Sequence, residues 1–301
     1  MPGFAGIGLA LAVLGAQPQS IQSTPQGPTA TVLEDVVVNG RPLREAIDAF
    51  VDDVTDPPRG RGPARWDRNV CVGTVNLRRD AAQALNDRVS EIAGSIGLEP
   101  GEPGCQANIL IIATDDAAAL TSALTQARPR AFRPGYSGAS QSREALESFR
   151  TSNKPVRWWP VSVPVDRNTG QVAVRLPGQA PPVIEGRGLT RTSVTNRLLR
   201  TFVIVDMGQL QNISYRQLGD FIAMVSLAQI DPDADATGFQ TVLNLFSNRE
   251  GGLVLTDWDY AYLRALYDAE LNARAPNGQL GEVGSIMERD RRNPDRSPET
   301  P

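Results

Sequence analysis

Asn108-Ile-Leu-Ile-Ile-Ala-Thr114 and Phe202-Val-Ile-Val-Asp206 are the two stretches that decide how this chain folds. An apolar run without polar alternation is the pattern of a strand buried on both faces, at the centre of a covered sheet. Each run leads into a helix signal. Asp115 and Asp116 cap an alanine-rich segment reaching about Ala127, and a long apolar helix is expected from Ser214 to Ile230. Outward from these, Arg79 to Ile96 is amphipathic, with Ala82, Leu85, Val89, Ile92 and Ile96 at helical spacing and Gly97 as its stop. Leu43 to Val54 repeats that spacing through Leu43, Ile47, Phe50, Val51 and Val54. A short helix is expected over Arg143 to Arg150. A last one runs from Thr256 to Asp268, with Thr256 as cap and Asp259 in the capping-box position. Val156 to Val165 and Gln171 to Leu176 flank Asp166-Arg-Asn-Thr-Gly170, a hairpin signature. The sum is an α+β fold, a mixed β-sheet with covering helices.

Around this body the composition changes. Phe4 to Leu14 is an apolar run of the length of a signal h-region, so residues 1–16 read as a signal peptide. Residues 17–31 are rich in Gln, Pro, Ser and Thr and read as a flexible linker. One α+β domain is expected over 32–271, where a sub-boundary could fall near residue 150. The polar, proline-dotted 272–301 reads as a disordered tail. Cys71 and Cys105 are the only cysteines, an even count in a chain that reads as exported. A disulfide is expected, with two buried free thiols as the alternative. Nothing after the leader is apolar enough to span a bilayer, so the expected location is periplasmic or secreted.

The chain contains no histidine. That removes Ser-His-Asp and Cys-His mechanisms and every His-ligated metal site. A net charge of −4 argues against nucleic-acid binding. Lys154 is the only lysine, so a Schiff-base or Ser-Lys mechanism would have to use it, and Thr151-Ser152-Asn153 before it lacks the Ser-x-x-Lys spacing.

Asp220-Phe-Ile-Ala-Met-Val-Ser-Leu-Ala-Gln-Ile-Asp231, lying after two open-sheet strands, gives the order found in zincin metalloproteases. From Gly104 to Asp268, closing with Leu255-Thr-Asp-Trp-Asp-Tyr-Ala-Tyr-Leu-Arg-Ala-Leu-Tyr267, the chain resembles a bacterial family of uncharacterised exported proteins with a zincin-like core. The zinc motif itself is missing. Laid over His-Glu-x-x-His, the ligand positions become Ala223 and Leu227 and the general base becomes Met224. None of these side chains can donate to zinc. The resemblance therefore implies a degenerate, non-catalytic core, and the plain reading of the residues is an ordinary buried helix.

Other candidates are weaker. Asp231-Pro-Asp-Ala-Asp235 starts like a calcium loop, but Ala236 and Val242 stand where such a loop needs Gly and Glu. A solvated turn is the bland reading, and a carboxylate-only Mg or Mn site through Asp231, Asp233 and Asp235 is the alternative. Trp158 and Trp159 should point to opposite faces of a strand, one into the core and the other at the surface, where stacking on a sugar, peptide or partner is the alternative to a plain surface ring. Glu34-Asp-Val-Val-Val38 resembles the TonB box, a strand-addition segment, with an ordinary first strand as the alternative. Asp257 and Asp259 are the nearest thing to a paired-carboxylate site, although acids at a helix start serve capping and the dipole.

The expected function is thus a non-catalytic exported protein without cofactor, a pseudoenzyme or a binding or structural module whose partner is a cell-envelope protein. Two alternatives stand beside it: a hydrolase using carboxylates alone, and an envelope module pairing through Val36–Val38.

Overall fold

In the computed structural model, the described residues are 37, 38, 40–135, 141–174, 188–247 and 254–293. The expected leader 1–16 and linker 17–31, Glu34 to Val36 and the last residues of the tail lie outside them.

Strands β1 (Val37–Val38) and β2 (Arg41–Pro42) form a small antiparallel pair apart from the main sheet. Helix α1 (Leu43–Val54) follows, then β3 (Ala64–Arg65), β4 (Asn69–Val70) and β5 (Val72–Val75). Helix α2 (Arg79–Ser95) leads through β6 (Glu99–Pro100) to β7 (Ile109–Thr114). Helices α3 (Ala117–Ala127), α4 (Pro129–Phe132) and α5 (Arg143–Thr151) precede two long strands, β8 (Val156–Asp166) and β9 (Val194–Asp206). Helices α6 (Tyr215–Leu227), α7 (Asp257–Asp268) and α8 (Pro276–Arg292) close the chain.

β5, β7 and β9 are parallel neighbours, and β3 pairs with the start of β9 in the same sense. β8 runs antiparallel along β9 and forms the edge, so the sheet is mixed. The fold is α+β. The β5–α2–β7 unit is the crossover that parallel neighbours require. Its two faces explain the apolar runs. Ile109, Ile111, Val203 and Val205 pack under α1, α2, α6, α7 and α8, whereas Ile112 and Ile204 pack under α3 and α5 with Phe132 and Phe149.

Most expected elements are present, with their caps. Asp116 accepts from Ala119 N, and Ser214–Gln217 and Thr256–Asp259 form full capping boxes. Gly97 ends α2 with φ +85°, a left-handed conformation that suits glycine.

Three expectations are corrected. Residues 272–301 are not a disordered tail throughout, because 276–292 form α8, which buries Val283, Ile286 and Met287 against α1 and α7. Its apolar stripe is narrow, and Pro276 at its first turn with Arg289, Arg291 and Arg292 in its last suits the helix dipole. The Asp166–Gly170 turn exists, but among the described residues beyond it the only bridge back to β8 joins Val165 and Val172, and residues 175 and 176 of the expected second strand lie outside the described residues. The long partner of β8 is β9, which begins at Val194 instead of near Phe202. Segments before and after residue 150 share one sheet.

Cys71 and Cys105 are bonded, with Cα atoms 6.0 Å apart and 34 residues of separation. The bond ties the loop before β7 to the junction of β4 and β5, where Asn108 also reaches Cys71 N at 2.8 Å. Closing a loop of this size stabilises by about 3–4 kcal/mol in the chain-entropy model. Reduction, or Cys71→Ala with Cys105→Ala, should lower the melting temperature by on the order of 10 °C in calorimetry. An unchanged value would show that the bond constrains nothing.

Candidate functional site

Helix α6 places the positions that a zinc motif would occupy. Ala223, Met224 and Leu227 are fully buried in the main core, among Phe221, Val225 and the helices around them. The one acid in the helix, Asp220, is 0% exposed and is consumed structurally. Its Oδ1 accepts from Arg88 Nε at 2.5 Å and its Oδ2 from Leu255 N at 3.0 Å.

Open space lies instead at the C-terminal end of α6. A cavity of ≈160 Å³ runs along the outer edge of β8, from Val156 to Pro160. Helix α5 forms one wall through Ala145, Ser148 and Phe149, and Asp56 with the Asp231-Pro232-Asp233 turn forms the other. The turn is held in place by main-chain bonds, Asp56 N to Gln229 O at 3.0 Å and Asp231 N to Val54 O at 2.8 Å.

Register decides what the strand offers this cavity. Asp206 N donates to Pro155 O at 2.8 Å, so residues 155, 157 and 159 turn their main-chain groups toward β9. Val156 and Trp158 therefore present N–H and C=O to the cavity side, as an edge strand presents its unpaired row.

Both tryptophans are buried, Trp158 at 5% and Trp159 at 3% exposure, which corrects the expectation that one ring lies at the surface, open to stacking. They do point to opposite faces. Trp158 Nε1 donates to Ile230 O at 2.8 Å and Trp159 Nε1 to Phe132 O at 2.9 Å. The second ring is covered because α4 and α5 pack over that face.

The acids divide into local and cavity roles. Asp235 accepts from Thr237 N and Oγ1 at 3.1 and 2.6 Å, and Asp231 accepts from Asp233 N at 2.8 Å. Asp233 pairs with Lys154 at 2.7 Å, and the same ammonium donates to Pro232 O. The three carboxylates thus shape a turn closed by a lysine, and among the described residues no group of three or more metal-ligating side chains is assembled. Asp259 accepts from Thr241 Oγ1 at 2.5 Å, Val242 N at 2.9 Å and Thr256 N at 2.9 Å, so it holds a helix start together. Asp257 is exposed on that first turn, so the two do not form a cleft pair.

Asp56 and Gln141 are site residues that the sequence does not reveal, and Lys154 stands out in it only as the single lysine. Gln141 Nε2 donates to Asp56 O at 2.8 Å and Oδ2 at 2.7 Å. Burial, then the charges of Asp231 and Asp233, push the Asp56 carboxyl up to about 6. A signal existed only in Asp56-Pro57-Pro58, which reads as a chain break. The folded chain holds this proton to higher pH than the unfolded chain, whose value is 3.8. The stabilising contribution is therefore full below that value and lost as pH rises through about 6. Asp56→Asn should gain stability relative to the wild type between about pH 4 and about pH 7 in urea titrations, and parallel curves would remove the perturbed carboxyl.

The chain matches no protein-family model, and no curated protein or solved structure resembles it closely enough to count as a match.

Proposed function

We propose that this protein is an exported, non-catalytic binding module of degenerate zincin-like build, whose cleft takes an extended peptide segment of a cell-envelope partner. The observation that carries the reading is the row of outward main-chain groups at Val156 and Trp158 beside a cavity of ≈160 Å³. Such an edge pairs with a peptide by strand addition, main-chain bonds giving affinity and side-chain pockets giving specificity. Asp56, Asp231 and Asp233 outnumber Lys154 and Arg157 in the lining, and this acidic excess favours a segment carrying a basic residue. The zincin-like part rests on the order of antiparallel edge strand, last parallel strand and buried helix, with apolar side chains at Ala223, Met224 and Leu227. The disulfide fits an exported, periplasmic or secreted chain, and no described helix is long and apolar enough to cross a membrane.

One observation favours a second reading, a hydrolase using carboxylates alone. Asp56, held at about 6 beside two further acids, has the proton affinity of a general acid.

A single experiment separates them. An array of short extended peptides, half of them bearing Arg or Lys, is incubated with the mature chain and then recovered. Binding by basic peptides that return intact, weakened at least tenfold in Val156→Pro, supports strand addition. That variant removes an outward N–H and leaves the bonds to β9, and circular dichroism checks its fold. Cleaved peptides, with cleavage lost in Asp56→Asn, would favour the hydrolase. No binding, or equal binding by Val156→Pro, would overturn the module reading.

A further inference from the structure

At the other end of β9 lies a second, polar cavity of ≈240 Å³. Three arginines from three elements are among its lining residues: Arg65 on β3, Arg167 in the turn after β8, and Arg197 on β9. The partners that the chain gives them are mostly neutral. Arg65 Nη1 donates to the carbonyls of Leu266 and Tyr267 at 2.6 and 2.5 Å, and Arg167 Nη2 to that of Glu270 at 2.5 Å. Arg197 alone meets a carboxylate, Asp67 at 3.1 Å, and the Asp67 side chain is 64% exposed. An ion pair so exposed is screened and worth little.

Asp268 and Glu282 act on Arg65 from a distance, Arg167 opposes it, and Glu282 is already engaged by the N–H groups of Glu270 and Leu271. Behind the wall a further guanidinium, Arg61, donates from Nε to Asn196 Oδ1 at 2.7 Å. Positive charge is therefore concentrated at a concave, polar site of a chain whose net charge is −4. Guanidinium forks match the oxygens of phosphate, sulfate and carboxylate, and such charge-assisted bonds are about twice as strong as neutral ones.

We infer that this cavity is an oxyanion site, in which Arg65, Arg167 and Arg197 grip a phosphate- or sulfate-type head group. Arg65 also holds the C-terminal carbonyls of α7, so the ligand bridges that helix end to the start of β9. The site is independent of the β8 cleft, and neither reading depends on the other.

The test is a thermal-melt titration of the full mature chain with inorganic phosphate, with sodium chloride at matched ionic strength as control. A saturable rise in melting temperature specific to phosphate is expected, and Arg167→Gln and Arg197→Gln should each weaken it at least tenfold. These two groups, unlike Arg65, cap no helix, and circular dichroism of the ligand-free variants checks their fold. Glycerol phosphate distinguishes the source. Tighter binding than inorganic phosphate points to an esterified head group, and weaker binding to the free ion, the site standing in both cases. A rise matched by chloride, or undiminished in the Arg167→Gln/Arg197→Gln double variant, overturns the assignment.

Discussion

The structure depends on burying helix α6 from Leu218 onward, past its exposed first turn. Every residue from Leu218 to Ile230 is buried, so the helix cannot leave any polar group to water. An α-helix ends with carbonyls that lack partners within it. Here distant aromatic side chains supply the donors. Trp66 Nε1 reaches Ser226 O at 2.9 Å, Tyr267 OH reaches Leu227 O at 2.6 Å, and Trp158 Nε1 reaches Ile230 O at 2.8 Å. Rings of this kind serve the purpose because they bring a large apolar body and one polar tip. The magnitudes favour apolar burial as the driving force. Leu218, Phe221, Ile222, Met224, Val225, Leu227 and Ile230 together contribute on the order of 10–20 kcal/mol by burial, an upper bound. The Asp220–Arg88 pair roughly breaks even against its desolvation. That pair sets position instead, and Gly219 lets α2 approach, since a Cβ there would lie 2.9 Å from Arg88 Cγ.

From that constraint the cleft follows. Once Trp158 is committed to Ile230 O, β8 must run beside the end of α6, and the chain leaving the helix must turn there. The turn is pinned to Val54 and Asp56 by main-chain bonds, which brings Asp56, Asp231 and Asp233 to one wall. β8 is at the edge because, among the described strands, it pairs with β9 alone, whose other side takes β3 and β7. Buried helix, edge strand and acidic wall are consequences of one packing arrangement, and the site forms where the core stops.

How much of this was legible in the sequence depends on whether the signal was local. The runs at Asn108–Thr114 and Phe202–Asp206 state double-sided burial residue by residue, and the capping pairs Ser214–Gln217 and Thr256–Asp259 state helix starts. The first half of β9 was silent, because Asn196, Arg197 and Arg200 break any apolar run where only one neighbour is long. α8 was silent for a related reason: three buried apolar side chains among glycines and arginines do not outweigh local polarity, and its docking surface is made by α1 and α7. The cleft was legible only in pieces: Asp231, Asp233 and the tryptophans stand out singly, and nothing in the sequence joins them into one site. Asp56, Gln141 and Lys154 are single polar residues in loops, and only the bonds at the end of α6 bring them together. The absence of histidine limits the chemistry open to the chain, but limits do not locate sites.

Native-state hydrogen exchange across α6, compared with stability from urea unfolding, addresses the central claim most directly. If this helix anchors the core, amides from Gly219 to Leu227 exchange only by global unfolding, with a free energy equal to the denaturant value. Exchange through a smaller opening, while β7 and β9 stay protected, would contradict the account and leave the helix a dispensable cover on an independently stable sheet.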